Sequence, residues 1–553
     1  MTPCRRRARG AGLAWTAALT LLAVMQPGFA RAQPAIQVET IGPPDSSTAG
    51  VLTPDDGGLG TEMWADTSAM TGLALVEALP RPASVPAMAD LTWRLLATAG
   101  RVVEGGPGGV DLLAARVHGL VDAGRAGTAA DVLEVAGYGE RTKGPAIDSV
   151  ALSTGLLAGR NNLVCAAGES GAAGPTPEPF LAAIALCRLA GDQQDDAQLA
   201  YDLWRETGAG QAGLPALFEI AFGRKASPPK DLEATPMAIA LVARTGVAPP
   251  AAWFEDPPLR LLPGLLALKA PEPAGLVLAE RAEAAGLMDT SALAARLGAA
   301  ALPAAATSDP RAFVRQTPGP VGRAALVRAL AGAPEADRPA LLVAATEAYA
   351  AAGLRATGAR LVREPLMAIR PDLALAGYAP GIVRGLLALG ERDRALVWWR
   401  TLDDAATFNP DAAFQALGLW PLIQVADGGD TLAWDRESPQ RWWRSQASLP
   451  GATRRASVAA ALFAALGGDA PEVWQREKTP SALRPAQSAD LEEAAASERT
   501  AETVLRAAAA LGTDAVTTVP PVDLGLVVAA LLRVGLKADA RALALDLALA
   551  NGL

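Results

Sequence analysis

Apolar side chains recur along this chain in stretches of 10–15 residues at helical spacing, each ending at Gly, Pro or Asp. This is the period of an amphipathic α-helix, not the strict alternation of a half-buried strand. Ile382–Leu389 is one such stretch; Gly390 halts it, and the pattern restarts through Arg394, Ala395, Leu396 and Trp399. A glycine after a helix supplies a left-handed cap, and a short turn then returns the chain antiparallel. Comparable stops fall at Gly124, Gly159, Gly191, Gly223, Gly286, Gly353, Gly428 and Gly467, with successive gaps that include 35, 32, 32, 37, 38 and 39 residues. The expectation is an all-α chain, a superhelical solenoid of antiparallel helical hairpins in which each unit buries its apolar face against its neighbours. The architecture is tetratricopeptide-like, but the tetratricopeptide consensus is not met.

The same pattern divides the chain. Residues 33–60 are rich in Pro, Gly, Asp, Ser and Thr and bury too little apolar surface to order themselves, so they read as a flexible leader. Residues 61–474 form the expected solenoid, with a bend at the Pro-rich interruptions within 227–273. Residues 475–500 are a polar linker or irregular helix, and 501–553 a C-terminal cap of about three helices that includes Asp523–Leu536.

The N-terminus departs from this pattern. Arg5, Arg6, Arg7 and Arg9 precede an apolar run from about Ala11 to Met25, and small residues flank Arg31 at Ala30 and Ala32. These are the parts of a secretory signal peptide, residues 1–32, cut near Ala32. The run is shorter than the roughly 20 residues a bilayer requires. Cys4 lies ahead of it, on the wrong side for a lipid-carrying cysteine. The consecutive arginines leave both the general and the twin-arginine export routes open. Later in the chain, the best membrane candidate, Leu259–Glu280, is broken by Pro263, Lys269, Pro271 and Pro273, so no integral membrane span is expected.

Composition narrows the partners. Removing residues 1–32 takes five of 49 basic residues and none of 58 acidic ones; 44 against 58 leaves a net charge of −14. Such a chain, without a basic run, repels phosphate backbones and anionic headgroups, which argues against nucleic acid or a membrane surface.

A search for catalytic chemistry returns little. His118 is the only histidine, in a helical stretch, and reads as an ordinary packed or surface residue. Gly208–Gly213 matches the dinucleotide glycine pattern, but it follows a helical stretch where that motif needs a strand. Ser227-Pro228-Pro229-Lys230 matches S-x-x-K, yet its two prolines oppose the helical turn that would bring serine and lysine together. Glu169-Ser170 is the dipeptide that lytic transglycosylases carry around their acid, here in a Gly-rich loop without the rest of that pattern. Asp195-Asp196 and Asp403-Asp404 read as solvated turn and helix-start residues.

Two features stand out. Seven of the 12 tryptophans lie between Trp398 and Trp474, and Trp398-Trp399-Arg400 and Trp442-Trp443-Arg444 are 44 residues apart, about one repeat. Adjacent helix residues point about 100° apart, so one indole of each pair can face the core while the other reaches the edge. The tryptophans either fill a core layer or, with arginine, form a contact groove; the candidate surface is Trp398, Trp399, Arg400, Trp434, Arg441, Trp442, Trp443 and Arg444.

The second feature is Cys165 and Cys187, the only cysteines left after processing, in a compartment that oxidises thiols. One disulfide is expected, joining the segment after the Asn161-Asn162 turn to an apolar helix at Phe180–Ala190. Two buried free thiols and a two-ligand metal site are the alternatives.

The loop Asn161–Gly168, followed by a helix carrying Cys187, resembles a group of uncharacterised exported Ala/Leu-rich helical-repeat proteins of GC-rich Gram-negative bacteria. The resemblance rests on residues 60–205 and implies a helical exported protein. Some of that group carry an antifreeze-like label, which follows from composition: Ala-Ala-Thr occurs at Ala305–Thr307 and Ala344–Thr346 and never as a tandem array.

The function expected is a non-enzymatic periplasmic scaffold or adaptor. It would bind a protein or peptide of the cell envelope on a helical-repeat surface, with no cofactor or metal and with glycan as a further possible ligand. The alternative is a cell-envelope enzyme, or its regulatory subunit, acting on peptidoglycan through carboxylates.

Overall fold

The computed structural model describes residues 48–80, 85–101, 109–208, 211–428, 432, 437–469, 471–474 and 479–553. The expected signal peptide and residues 33–47 of the expected leader lie outside them. Among the described residues the secondary structure is helical throughout, with two isolated bridges, Leu52 to Thr98 and Tyr138 to Thr142, and no strand. No helix among them is long and apolar enough to cross a membrane.

The glycine stops work as the periodicity predicts. Gly124, Gly159, Gly223, Gly286, Gly353, Gly390, Gly428 and Gly467 all take φ between 61° and 87°. Gly191 is the exception at φ −91°, because the next residue, Asp192, takes the left-handed position at φ 58°. Asp tolerates that conformation better than most side chains. Successive helices consequently fold back on one another: Pro145–Ala158, Asn161–Gly171, Glu178–Ala190 and Gln194–Glu206 form one packed series, and Ala379–Ala388, Arg392–Ala405, Pro410–Asp427 and Ser438–Gln446 another.

Leu, Val and Ala from these helices merge into one large core, with a small satellite around Leu276, Leu293, Leu297 and Ala324. Charged groups buried inside it are held by ion pairs or hydrogen bonds. Glu280, 1% exposed, is chelated by Arg323 at 2.9 and 2.5 Å. Glu283, 2% exposed, is held by Arg360 at 2.6 and 2.8 Å and by the Thr290 hydroxyl at 2.7 Å. Arg116 is fully buried and donates to the Leu96 and Thr98 carbonyls; desolvation pushes its pKa down to about 10.

The two ends of the helical series meet, which stacking between neighbours alone does not provide. Pro86–Ala97 packs on Lys537–Ala550 and Thr500–Leu511. Arg94 pairs with Asp539, the Asp546 carboxylate accepts from the Ala87 amide at 2.9 Å, and the Ala501 amide donates to Met63 O at 2.9 Å.

Two segments differ from the sequence reading. Residues 48–60 are not a free leader: the Val51 and Leu52 amides both donate to Ala97 O, and Leu52 O accepts from Ala99. Partly buried Val51, Leu52 and Leu59 supply the apolar contact that the polar composition hides. Within 475–500, Pro485–Ala496 is a regular helix started by Pro485, whose missing N–H costs nothing in a first turn. Residues 500–553 then form three helices, Thr500–Leu511, Pro521–Arg533 and Lys537–Ala550.

Candidate functional site

Cys165 and Cys187 form a disulfide, with Cα atoms 5.3 Å apart. Asn161–Gly168 is not a loop, however, but most of the helix Asn161–Gly171. Its glycines look like turn signals in sequence and act instead as contact points between helices. A Cβ at Gly168 would stand 2.9 Å from Ile184, one at Gly171 would overlap the Phe180 ring, and one at Gly155 would stand 2.9 Å from the Val164 amide. Bare backbone at these positions lets the helices approach closely enough for the cysteines to join. Asp148, 4% exposed, adds a polar tie between Pro145–Ala158 and Asn161–Gly171, accepting from the Tyr138 hydroxyl at 2.8 Å and the Ser170 hydroxyl at 2.9 Å. Burial, reinforced by Asp148, raises the Tyr138 pKa. Glu169 is exposed and bonds Arg188 of the helix Glu178–Ala190 at 2.9 Å. Glu169 and Ser170 thus both make structural contacts.

The tryptophan segment divides between core and edge. Trp398 and Trp442 are 2% and 1% exposed, and Trp420 and Trp474 are also buried. Trp442, Trp420 and Phe463 all pack around Trp474, with ring centroids 5.1–5.8 Å from it. Trp399 and Trp443 are half-buried, and Arg400, Arg441 and Arg444 are exposed. Trp434 lies outside the described residues.

Both tryptophan pairs converge on the helix Pro410–Asp427. Trp399 Nε1 donates to Ala416 O at 3.1 Å and Trp442 Nε1 to Gly418 O at 3.3 Å. Those carbonyls bracket Leu417, whose usual i+4 donor is missing because residue 421 is Pro. On the same hairpin, Val397, Phe408 and Phe414 are 47%, 68% and 44% exposed. Sequence reasoning missed these three, since helical periodicity does not distinguish an exposed apolar residue from a core one.

The remaining candidates behave as ordinary residues. His118 is exposed, 3.7 Å from Asp122. Asp195 and Asp196 sit in a first helical turn as expected. Asp403 and Asp404 instead occupy the last turn of Arg392–Ala405, at its negative end, where exposure to water screens them. Ser227–Lys230 is non-helical and Gly208–Gly213 follows the helix Gln194–Glu206. No group of three or more His, Cys, Asp or Glu among the described residues could hold a metal ion. Compared with family models, curated proteins and solved structures, the chain matches none.

One constellation had no signal in the sequence. A cavity of about 260 Å³ opens where Arg338–Ala351, Arg355–Leu361 and Ala379–Ala388 meet Gly552, and its charged lining is Glu347, Arg355 and Arg384.

Proposed function

We propose that this chain is a non-enzymatic scaffold or adaptor of the periplasm. It would fold as a superhelix of helical hairpins and hold a protein or peptide of the cell envelope on one hairpin's outer surface. The observation that carries this reading is the set of exposed Val397, Phe408 and Phe414 on the hairpin Arg392–Asp427, beside half-buried Trp399 and exposed Arg400. Scattered exposed apolar residues are ordinary. Two exposed phenylalanines on one hairpin, in a chain with only nine, together with Trp and Arg, have the composition of an interface centre. Export rests on residues 1–32, read as a signal peptide, and a disulfide fits an oxidising compartment.

Fold-level analogy contributes the choice of a binding role, because helical repeats offer extended surfaces. A photoreactive residue at position 408 tests the reading in intact cells, with one at exposed Leu199 as control. A specific protein or peptide adduct from position 408 alone supports it. Indistinguishable adduct patterns from the two positions would overturn it.

A further inference from the structure

Phe408 and Phe414 stand in an acidic setting. From Thr401 to Asp427 the chain has no lysine, arginine or histidine, and it carries Asp403, Asp404, Asp411 and Asp427. Asp427 is buried and pairs with Arg392 at 3.2 Å. The other three are exposed, and none forms an ion pair among the described residues. Asp404 lies four residues before Phe408 and Asp411 three after it, so the backbone keeps both within about 14 Å of that ring's Cα. Asp411 and Phe414, three apart on the helix Pro410–Asp427, share one face of it.

The neighbouring cations do not neutralise this group. Arg394 donates to Met367 O. Arg400, one turn before Asp404, forms no ion pair with it and leaves one guanidinium against three carboxylates. Arg441 and Arg444 belong to the helix Ser438–Gln446, which meets Pro410–Asp427 at Gly418, about two turns beyond Asp411. Asp403 and Asp404 also sit in the last turn of Arg392–Ala405, which holds no basic residue. Carboxylates there oppose the helix dipole, so a cation brought to them is favoured. Exposed acids elsewhere meet an arginine of another segment, as Glu169 meets Arg188 and Asp256 meets Arg281, each at 2.9 Å. An apolar centre rimmed by one sign of charge selects a partner of the opposite sign.

We propose that the surface at Phe408 and Phe414 takes a basic segment of a partner protein or peptide. Its apolar side chains cover the phenylalanines, and its Lys or Arg side chains meet Asp403, Asp404 and Asp411. The inference rests on the hairpin surface proposed above and adds the charge of what binds there.

Fluorescence anisotropy of two labelled synthetic peptides titrated with the purified protein tests it. The peptides share one amphipathic pattern of Leu and Phe; one carries Lys and the other Glu at the remaining positions. The Lys peptide should bind at least about tenfold tighter than the Glu peptide at low salt, and the difference should shrink as salt screens it. Asp403→Asn/Asp404→Asn/Asp411→Asn should remove most of that preference. Asp195→Asn/Asp196→Asn/Asp202→Asn, at three exposed acids of another helix, should keep it. Phe408→Ser/Phe414→Ser should weaken the Lys peptide at least about tenfold. The replaced side chains are all exposed, so the variants keep the fold.

Binding of the Glu peptide that equals or exceeds that of the Lys peptide, and is lost in Phe408→Ser/Phe414→Ser, would overturn the basic partner and leave the hairpin surface standing. Undiminished binding of the Lys peptide by Phe408→Ser/Phe414→Ser would overturn both. Equal loss of preference in the two aspartate variants would trace it to net charge and overturn the proposal. So would the absence of binding by either peptide, with the hairpin then judged by cross-linking at position 408.

Discussion

Phe180 lies over Gly171 so closely that a methyl group on that glycine would overlap its ring, and this contact sets the spacing of the two helices that the disulfide joins. Glycine inside a helix costs roughly 1 kcal/mol relative to alanine, so its use here is repaid by helix approach. Gly171→Ala is therefore expected to destabilise the protein by about 1–3 kcal/mol, the usual range for overpacking, despite its better helix propensity. Urea unfolding checks the sign. A stabilised Gly171→Ala variant would show that the close approach is not needed.

The disulfide closes a segment with a sequence separation of 22 between its cysteines. On chain-entropy grounds a loop of that size contributes about 3 kcal/mol. Denatured, unreduced protein lacking residues 1–32 should yield no free thiol, and urea titration of Cys165→Ser/Cys187→Ser should give an unfolding free energy lower by that amount. Two alkylatable thiols in the unreduced sample would contradict the pairing.

These two contacts show what could and could not be read from the chain. The glycine stops were legible because a left-handed cap depends on one residue and its immediate neighbours, as Gly390 and Gly428 illustrate. The cysteine pairing was legible from residue count and from the compartment that the N-terminal pattern leads one to expect. The helix at Asn161–Gly171 was not, because Asn161-Asn162 and Gly168 carry local turn preferences that packing against Ile184 overrides. For the tryptophans, sequence identified the cluster, but only the fold separates buried Trp398 and Trp442 from half-buried Trp399 and Trp443. Arg355 and Arg384 are brought to one cavity by tertiary contacts among three helices, and no local pattern encodes that.

The indole of Trp399 satisfies a carbonyl beside the proline-interrupted turn of Pro410–Asp427. Trp399→Phe keeps most of the packing and removes the donor, so it should cost about 1 kcal/mol, the net worth of one hydrogen bond. Thermal unfolding of Trp399→Phe beside Trp442→Phe checks this. A wild-type melting temperature in both would mean the indole bonds add nothing.

Glu283 predicts how the fold responds to acid. Burial raises its pKa, but hydrogen bonds from Arg360, Thr357 and Thr290 outweigh that, so the folded value lies below the ordinary carboxylate range. The stabilisation is then present above the unfolded pKa and is lost as pH falls through the lower folded one. Glu283→Gln should lower neutral-pH stability by about 1–3 kcal/mol and flatten the acid limb of the stability profile. An unchanged acid limb would contradict the assignment.

Asp546 has the opposite sign. Burial raises its pKa, against the Ala87 amide and the charge of Arg360, so the fold favours the protonated form. Its contribution is most favourable below the unfolded pKa and is lost as pH rises through the folded one. Asp546→Asn keeps an acceptor for Ala87 and removes that loss. Stability at pH 7 should stay the same or rise, as followed by chemical denaturation; a clear fall would show that the ionised form supports the junction of the chain's ends.

The surface at Phe408 and Phe414 is the centre of the functional reading, and the most direct measurement is affinity. The partner captured through position 408 is titrated against the wild-type protein and against Phe408→Ser/Phe414→Ser. Both side chains project substantially into solvent, so the double variant should melt within a few degrees of wild type, in keeping with surface substitutions. The account predicts at least about tenfold weaker binding by the variant, the effect of losing roughly 1.4 kcal/mol at an interface centre. Equal affinity in a variant that melts like the wild type would contradict the claim that this hairpin is the contact surface.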